Sequence, residues 1–152
     1  MKRFKYSLEN VLHYKEQILD SIKAEHGTLL AQIRKKEREI QNLEEKLVSA
    51  QDKIDDLKKQ DVQIKDICLY GMYISEMEDQ IQKKQDQLQF LQQQEEKKKE
   101  QVIAAKIDTS RYEKLKDRRQ NEYEKAAKKA QELFIEEFAS RTARYSQNRE
   151  VI

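Results

Sequence analysis

Catalysis needs nucleophiles, bases or metal ligands held close together, and this sequence offers few of them. His13 and His26 stand thirteen residues apart, with no Cys or second His at ligand spacing from either. A zinc site needs several such ligands at once. Cys68, the only cysteine, has no base close in sequence and reads as a small apolar residue. Glu136 and Glu137 could be drawn as a carboxylate pair, but in a chain that is 39% charged they read as solvated side chains. No Gly-rich phosphate loop is present. The residues therefore point to no catalytic, cofactor-binding or metal-binding site and to a protein that is not an enzyme. The chemistry that remains is that of interfaces, carried by aromatic residues, methionines and arginines near both ends and the middle of the chain.

The elements that position these residues are helices. With no Pro, two Gly and abundant Lys, Glu and Gln, the chain lacks loop punctuation. Ile33, Ile40, Leu43, Leu47, Ala50, Ile54, Leu57 and Ile64 follow a three–four alternation, with Lys36 and Asp61 filling the vacant slots, and this is a heptad seam. An earlier seam, Leu8, Val11, Lys15, Ile18, Ile22 and Leu29, is out of phase with it, which predicts a stutter near Gly27. Ser7 is a good N-cap, and Tyr6 and Val11 are spaced as a hydrophobic staple, so the first helix is expected to start near residue 7.

A second seam runs through Ile67, Tyr70, Ile74, Met77, Ile81, Leu88, Leu91, Val102 and Ala105, with Lys84, Glu95 and Lys98 in its slots. Beyond it, Tyr112, Leu115, Tyr123, Ala126, Ala130, Leu133, Phe134 and Phe138 keep helical spacing to about Tyr145. The Gln-rich stretch 80–94 keeps that spacing too and reads as a solvated helix face.

Two places compete for a turn. Gly71 sits among poor turn residues, and the seam passes through it in phase. Residues 58–66 are polar and offer Asp61 or Asp66 as an N-cap. The expected fold is therefore all-α: an elongated antiparallel two-helix coiled-coil hairpin in a single domain, 1–152, with helix one at about 7–60, a turn at about 60–66 and a longer second helix at about 67–145. Folding near residue 63 pairs residue 4 with about residue 122. The rest of the second helix then overhangs by roughly 35 Å. An unbroken helix that dimerises is the alternative.

Residues 97–129 hold twelve basic and six acidic residues. The acids interleave throughout, unlike the dense run of a zipper-type basic region, so no nucleic-acid partner is expected. No apolar run approaches the roughly 18 residues of a membrane span, the basic start has no apolar stretch of a secretory signal, and one cysteine suits a reducing compartment. These readings lead to a soluble cytoplasmic protein.

Two blocks add a resemblance. "FKYSLENVLHYKEQ", Phe4 to Gln17, and "YGMYISEMEDQIQKKQDQL", Tyr70 to Leu88, resemble the opening and the aromatic-rich second-helix start of the FliJ proteins of the flagellar type III export apparatus. The resemblance implies a non-enzymatic hairpin similar to the central stalk of rotary ATPases. Its implied partners are the hexameric flagellar export ATPase, the cytoplasmic domain of the export gate protein and export chaperones, at the inner-membrane export apparatus without membrane insertion. The related stalk of a virulence-type injectisome shares the plan, and a structural, dimeric cytoplasmic adaptor is a further alternative. On this footing Phe4, Tyr6, Leu133, Phe134, Phe138, Arg141 and Arg144 are candidates for the ATPase-facing end of a monomeric hairpin. Tyr70, Met72, Tyr73 and Met77 are candidates for the gate, with Tyr70 and Met77 also on the seam and Tyr73 the better placed to face out.

Overall fold

The computed structural model describes residues 2–61 and 63–150. It contains two helices, α1 (Glu9–Lys58) and α2 (Ile64–Glu150), and they are antiparallel, a helical hairpin whose second helix is the longer. No strand occurs among the described residues. Contacts divide the chain into two compact units. One is Leu19–Ala104; the other combines the chain up to Ile18 with the chain from Ala105 onward.

In the unit Leu19–Ala104, partner numbers on α2 fall as those on α1 rise. Glu25 meets Lys98, Lys36 meets Gln87, and Lys53 lies over the ring of Tyr70. The α1 side of this seam is Leu19, Ile22, His26, Leu29, Ile33, Lys36, Ile40, Leu43, Leu47, Ala50, Ile54 and Leu57, all buried or half-buried. Their spacing alternates three and four without a break. The stutter expected near Gly27 is therefore absent, because His26 fills the slot between Ile22 and Leu29. The α2 side is the series from Ile67 to Val102 expected from the spacing, and Met77, Ile81 and Val102 are its buried members. Ile64 departs from expectation: it begins α2 and is 78% exposed.

No large side chain among the described residues is fully enclosed. Two helices can cover a side chain from one direction only, so each seam residue keeps one solvated edge. That edge explains how charged residues occupy seam slots. Long side chains lay their methylenes along the seam and carry the charge out to its rim. Lys84 Nζ donates to Glu39 Oε2 at 2.9 Å, and Lys98 Nζ to Glu25 Oε2 at 2.7 Å. His26 Nε2 lies 2.8 Å from Glu95 Oε1, so two polar seam slots satisfy one another across the pair.

The ends of the helices differ from the expected caps. The last turn of α1 tightens through three-residue bonds, from Lys59 N–H to the Asp56 carbonyl and from Gln60 N–H to the Leu57 carbonyl. Asp66 falls in the first turn of α2, and Gln63 stands before that turn; Asp66 and Lys58 suit the dipole ends they occupy. At the start of α1, the Leu12 N–H bonds the Leu8 carbonyl at 2.9 Å, which puts Leu8 rather than Ser7 at the cap. The apolar residue four places into the helix is then Leu12, 4% exposed, while Val11 is half-buried.

In the unit of the chain ends, Leu8 and, on α1, Leu12 and Lys15 are buried or half-buried, as are Ala105, Thr109, Tyr112, Lys116 and Tyr123 on α2. Lys15 Nζ meets Asp108 Oδ2 at 2.7 Å and Lys116 Nζ meets Glu9 Oε2 at 2.8 Å. Thr109, 3% exposed, donates to the Ala105 carbonyl at 2.8 Å, which satisfies its buried hydroxyl. After Tyr123 the apolar residues in line with it on the helix are Ala127, Phe134, Phe138 and Tyr145. Tyr123, Phe134 and Tyr145 recur every eleven residues, three helical turns, in place of the heptad. From residue 128 to 150 every residue is exposed.

Candidate docking surfaces

Next to the turn, α2 presents two kinds of apolar residue. Tyr70 is half-buried with Lys53 Nζ 5.6 Å from its ring centroid, and Met77 is 4% exposed. Both belong to the seam, so two of the four gate candidates are packing residues in this structure. Met72 and Tyr73 face out, at 70% and 48% exposure. Leu69, which the spacing argument passed over, joins them at 58%. Residues 69, 72 and 73 share one flank of the helix at three- and four-residue spacing. The signal for Leu69 was its place four residues before Tyr73, off the seam. Tyr73 also lines a shallow groove with Glu76, Met77 and Gln80, closed on the α1 side by Leu43 and Lys46. Gly71 stands beside this patch, and a methyl group built on it meets nothing within 4 Å.

At the open end, the aromatic candidates separate into two groups. Tyr6 is 7% exposed; its hydroxyl donates to the Tyr112 carbonyl at 3.0 Å, and the Arg119 guanidinium lies 5.8 Å from its ring centroid. Arg119 also donates to the Ser7 hydroxyl at 2.8 Å. Phe4 is half-buried, its ring centroid 5.5 Å from that of Tyr123, whose hydroxyl donates to the Lys2 carbonyl. The chain before α1 is thus laid along α2 and held by four side chains.

The second group, Leu133, Phe134, Phe138, Arg141 and Arg144, lies farther along α2 and has no partner segment among the described residues. Phe134 is eleven residues beyond Tyr123, about 16 Å along the helix axis. The structure therefore does not bring Phe4 and Tyr6 together with the exposed group. Leu133 is 52% exposed, Phe134 69% and Phe138 66%. Tyr145, at the end of the expected helical spacing, is 67% exposed, and Ile135, which that spacing leaves out, is 57% exposed. Ile135 lies off the stripe, and Tyr145 closes the eleven-residue series.

Electrostatics at these surfaces is that of solvated pairs. The hydrogen bond from Lys84 holds the Glu39 carboxyl below the usual carboxylate range. Hydrogen bonds to Asp108 and Glu9 raise Lys15 and Lys116 above the usual lysine value. Among the described residues, no three His, Cys, Asp or Glu side chains come together as a metal set. No helix among them is long and apolar enough to cross a membrane.

The family model of the flagellar FliJ protein matches residues 4–148. No curated protein and no solved structure matches the chain. The match spans both aromatic blocks, both helices and most of the exposed stripe, and the hairpin has the architecture that the sequence resemblance implied. The chain belongs to the FliJ family, non-enzymatic helical hairpins with a stalk and chaperone role in flagellar protein export.

Proposed function

We propose that this protein is a stalk of the flagellar export apparatus that engages the hexameric export ATPase through the free end of α2 and the export gate through the patch beside the turn. It works in the cytoplasm, at the inner-membrane export apparatus, and export chaperones are further partners. The observation that carries this reading is the exposed stripe of Phe134, Phe138 and Tyr145, with Leu133 on its flank, which no segment covers among the described residues. Scattered exposed apolar residues need no explanation, but a contiguous stripe marks a surface that something covers. Arg141 and Arg144 extend it with charges suited to an interface rim. Phe4 and Tyr6 serve this end indirectly, by fixing the chain before α1 onto α2.

At the other surface, Met72 and Tyr73 are the gate contacts, with Leu69 beside them, while Tyr70 and Met77 hold the helix pair beneath. Gly71 keeps that flank low, so a partner backbone can approach closely.

Deleting residues 130–152 tests the first assignment. Binding of the purified export ATPase is lost while most helicity remains; binding that survives the deletion removes this end from the ATPase interface. Tyr73→Ala tests the second: gate affinity falls with little change in thermal stability. A large loss of stability with normal gate affinity would make Tyr73 a packing residue.

A further inference from the structure

Along the free end of α2, Phe134, Phe138, Arg141 and Tyr145 follow one another at intervals of four, three and four residues. These intervals hold the four side chains in one stripe of the helix. Read backwards, the intervals are again four, three and four. A stripe with this symmetry meets its own copy in register when the two helices run antiparallel. Phe134 then lies opposite Tyr145 of a second copy, and Phe138 opposite its Arg141. The first pairing is ring on ring and the second guanidinium on ring, both favourable contacts. The Tyr145 ring already accepts a guanidinium within the chain, with Arg149 5.6 Å from its centroid.

The charges beside the stripe have the same symmetry. Glu137 and Arg144 are seven residues apart, two turns, and lie on one flank of the stripe. An antiparallel pair sets Glu137 of each copy beside Arg144 of the other, twice over. In a parallel pair the same flank of the two copies falls on opposite sides of the contact, so neither reciprocal pair forms. Every residue concerned is exposed.

We propose that the free end of α2 is a self-association surface, on which a second copy of this chain docks antiparallel about a two-fold axis. A closed, isologous contact of this kind stops at a dimer. The association is weak and concentration-dependent, because only four residues of each copy line the stripe. It does not rest on the ATPase assignment. Both use the same side chains, so a second copy and any other partner on this stripe exclude one another. Self-association would cover the aromatic residues whenever the other partner is missing.

Sedimentation equilibrium of the full chain over a concentration series at low salt tests the proposal. The expected result is a reversible monomer–dimer equilibrium that weakens as salt rises. Glu137→Arg alone, or Arg144→Glu alone, weakens the dimer at least about tenfold by placing like charges together. The chain carrying both substitutions recovers wild-type association, because the reciprocal pairs are restored with their signs exchanged. Circular dichroism of each variant shows unchanged helicity, since both side chains are exposed. A chain that stays monomeric throughout the series overturns the proposal. So does a dimer indifferent to the single reversals, or one that the double reversal fails to restore.

Discussion

Tyr6 and Phe138 belong to the same unit and are both aromatic, yet Tyr6 is 7% exposed and Phe138 is 66% exposed. Residue type does not separate them. Position along the pairing does. The described segment before α1 lies against Tyr112 and Tyr123, so the aromatic residues facing that stretch are covered. Beyond it every residue of α2 from 128 to 150 is exposed. The same contrast recurs beside the turn, where Met77 is 4% exposed and Met72 is 70% exposed on a single helix. A helix with one partner buries one stripe, and any apolar residue off that stripe or past the partner's end is left for another molecule.

The largest test of this contrast is truncation of aromatic rings in both settings. Tyr6→Ala removes a buried ring and its hydrogen bond and should cost about 3 kcal/mol in urea unfolding. Phe138→Ala should stay within about 0.5 kcal/mol of wild type. Equal effects would mean that the free end is covered in solution. The next step isolates the hydroxyl: Tyr6→Phe keeps the ring and should cost about 1 kcal/mol, leaving the Tyr112 carbonyl with only its helical partner. A neutral result would assign the burial of Tyr6 to its ring alone.

Gly71→Ala and Gly27→Ala should each stabilise the helices by about 0.5–1 kcal/mol, because a methyl group finds open space at both positions. A destabilised Gly71 variant would mean that the flank is occupied. The smallest effect is electrostatic. Glu39 has a folded-state carboxyl below its unfolded value, so its contribution is present above the unfolded value and is lost as pH falls through the folded one. Lys15 and Lys116 are raised, so theirs is complete below the unfolded lysine value and is lost as pH rises through the folded one. The unit Leu19–Ala104 should thus lose its part on the acid side and the unit of chain ends on the alkaline side. Lys84→Met should flatten the acid side alone; all these groups are solvated, so the changes are slight.

The heptad arithmetic carried most of the fold. The α2 seam from Ile67 to Val102 is buried or half-buried at every expected position, charged slots included, and the expected pairing of residue 4 near 122 appears as Phe4 against Tyr123. Two expectations differ from the structure: the stutter near Gly27 leaves out the slot that His26 fills, and the choice of Val11 over Leu12 follows from a cap at Ser7 rather than Leu8. His26 holds its slot through Glu95, a residue 69 positions away that local spacing cannot supply. Thr109 is a polar residue in a buried place, its hydroxyl satisfied by the Ala105 carbonyl four residues earlier. The sites were less legible than the seam. Spacing tells which residues share a face, but whether Tyr6 is covered depends on the path of the chain before α1, which follows no period.

The antiparallel pairing also sets a timetable for the newborn chain. Tyr6 and its acceptor carbonyl are separated by 106 residues, and Tyr123 and Lys2 by 121. At about 5–20 residues per second of synthesis, Tyr6 waits on the order of ten seconds for its partner to be made. Contacts beside the turn, such as Lys53 with Tyr70, need only a short further stretch of chain. The first aromatic residues to leave the ribosome are therefore among the last to be covered, and the interval in which they stand bare is fixed by the distance along the message.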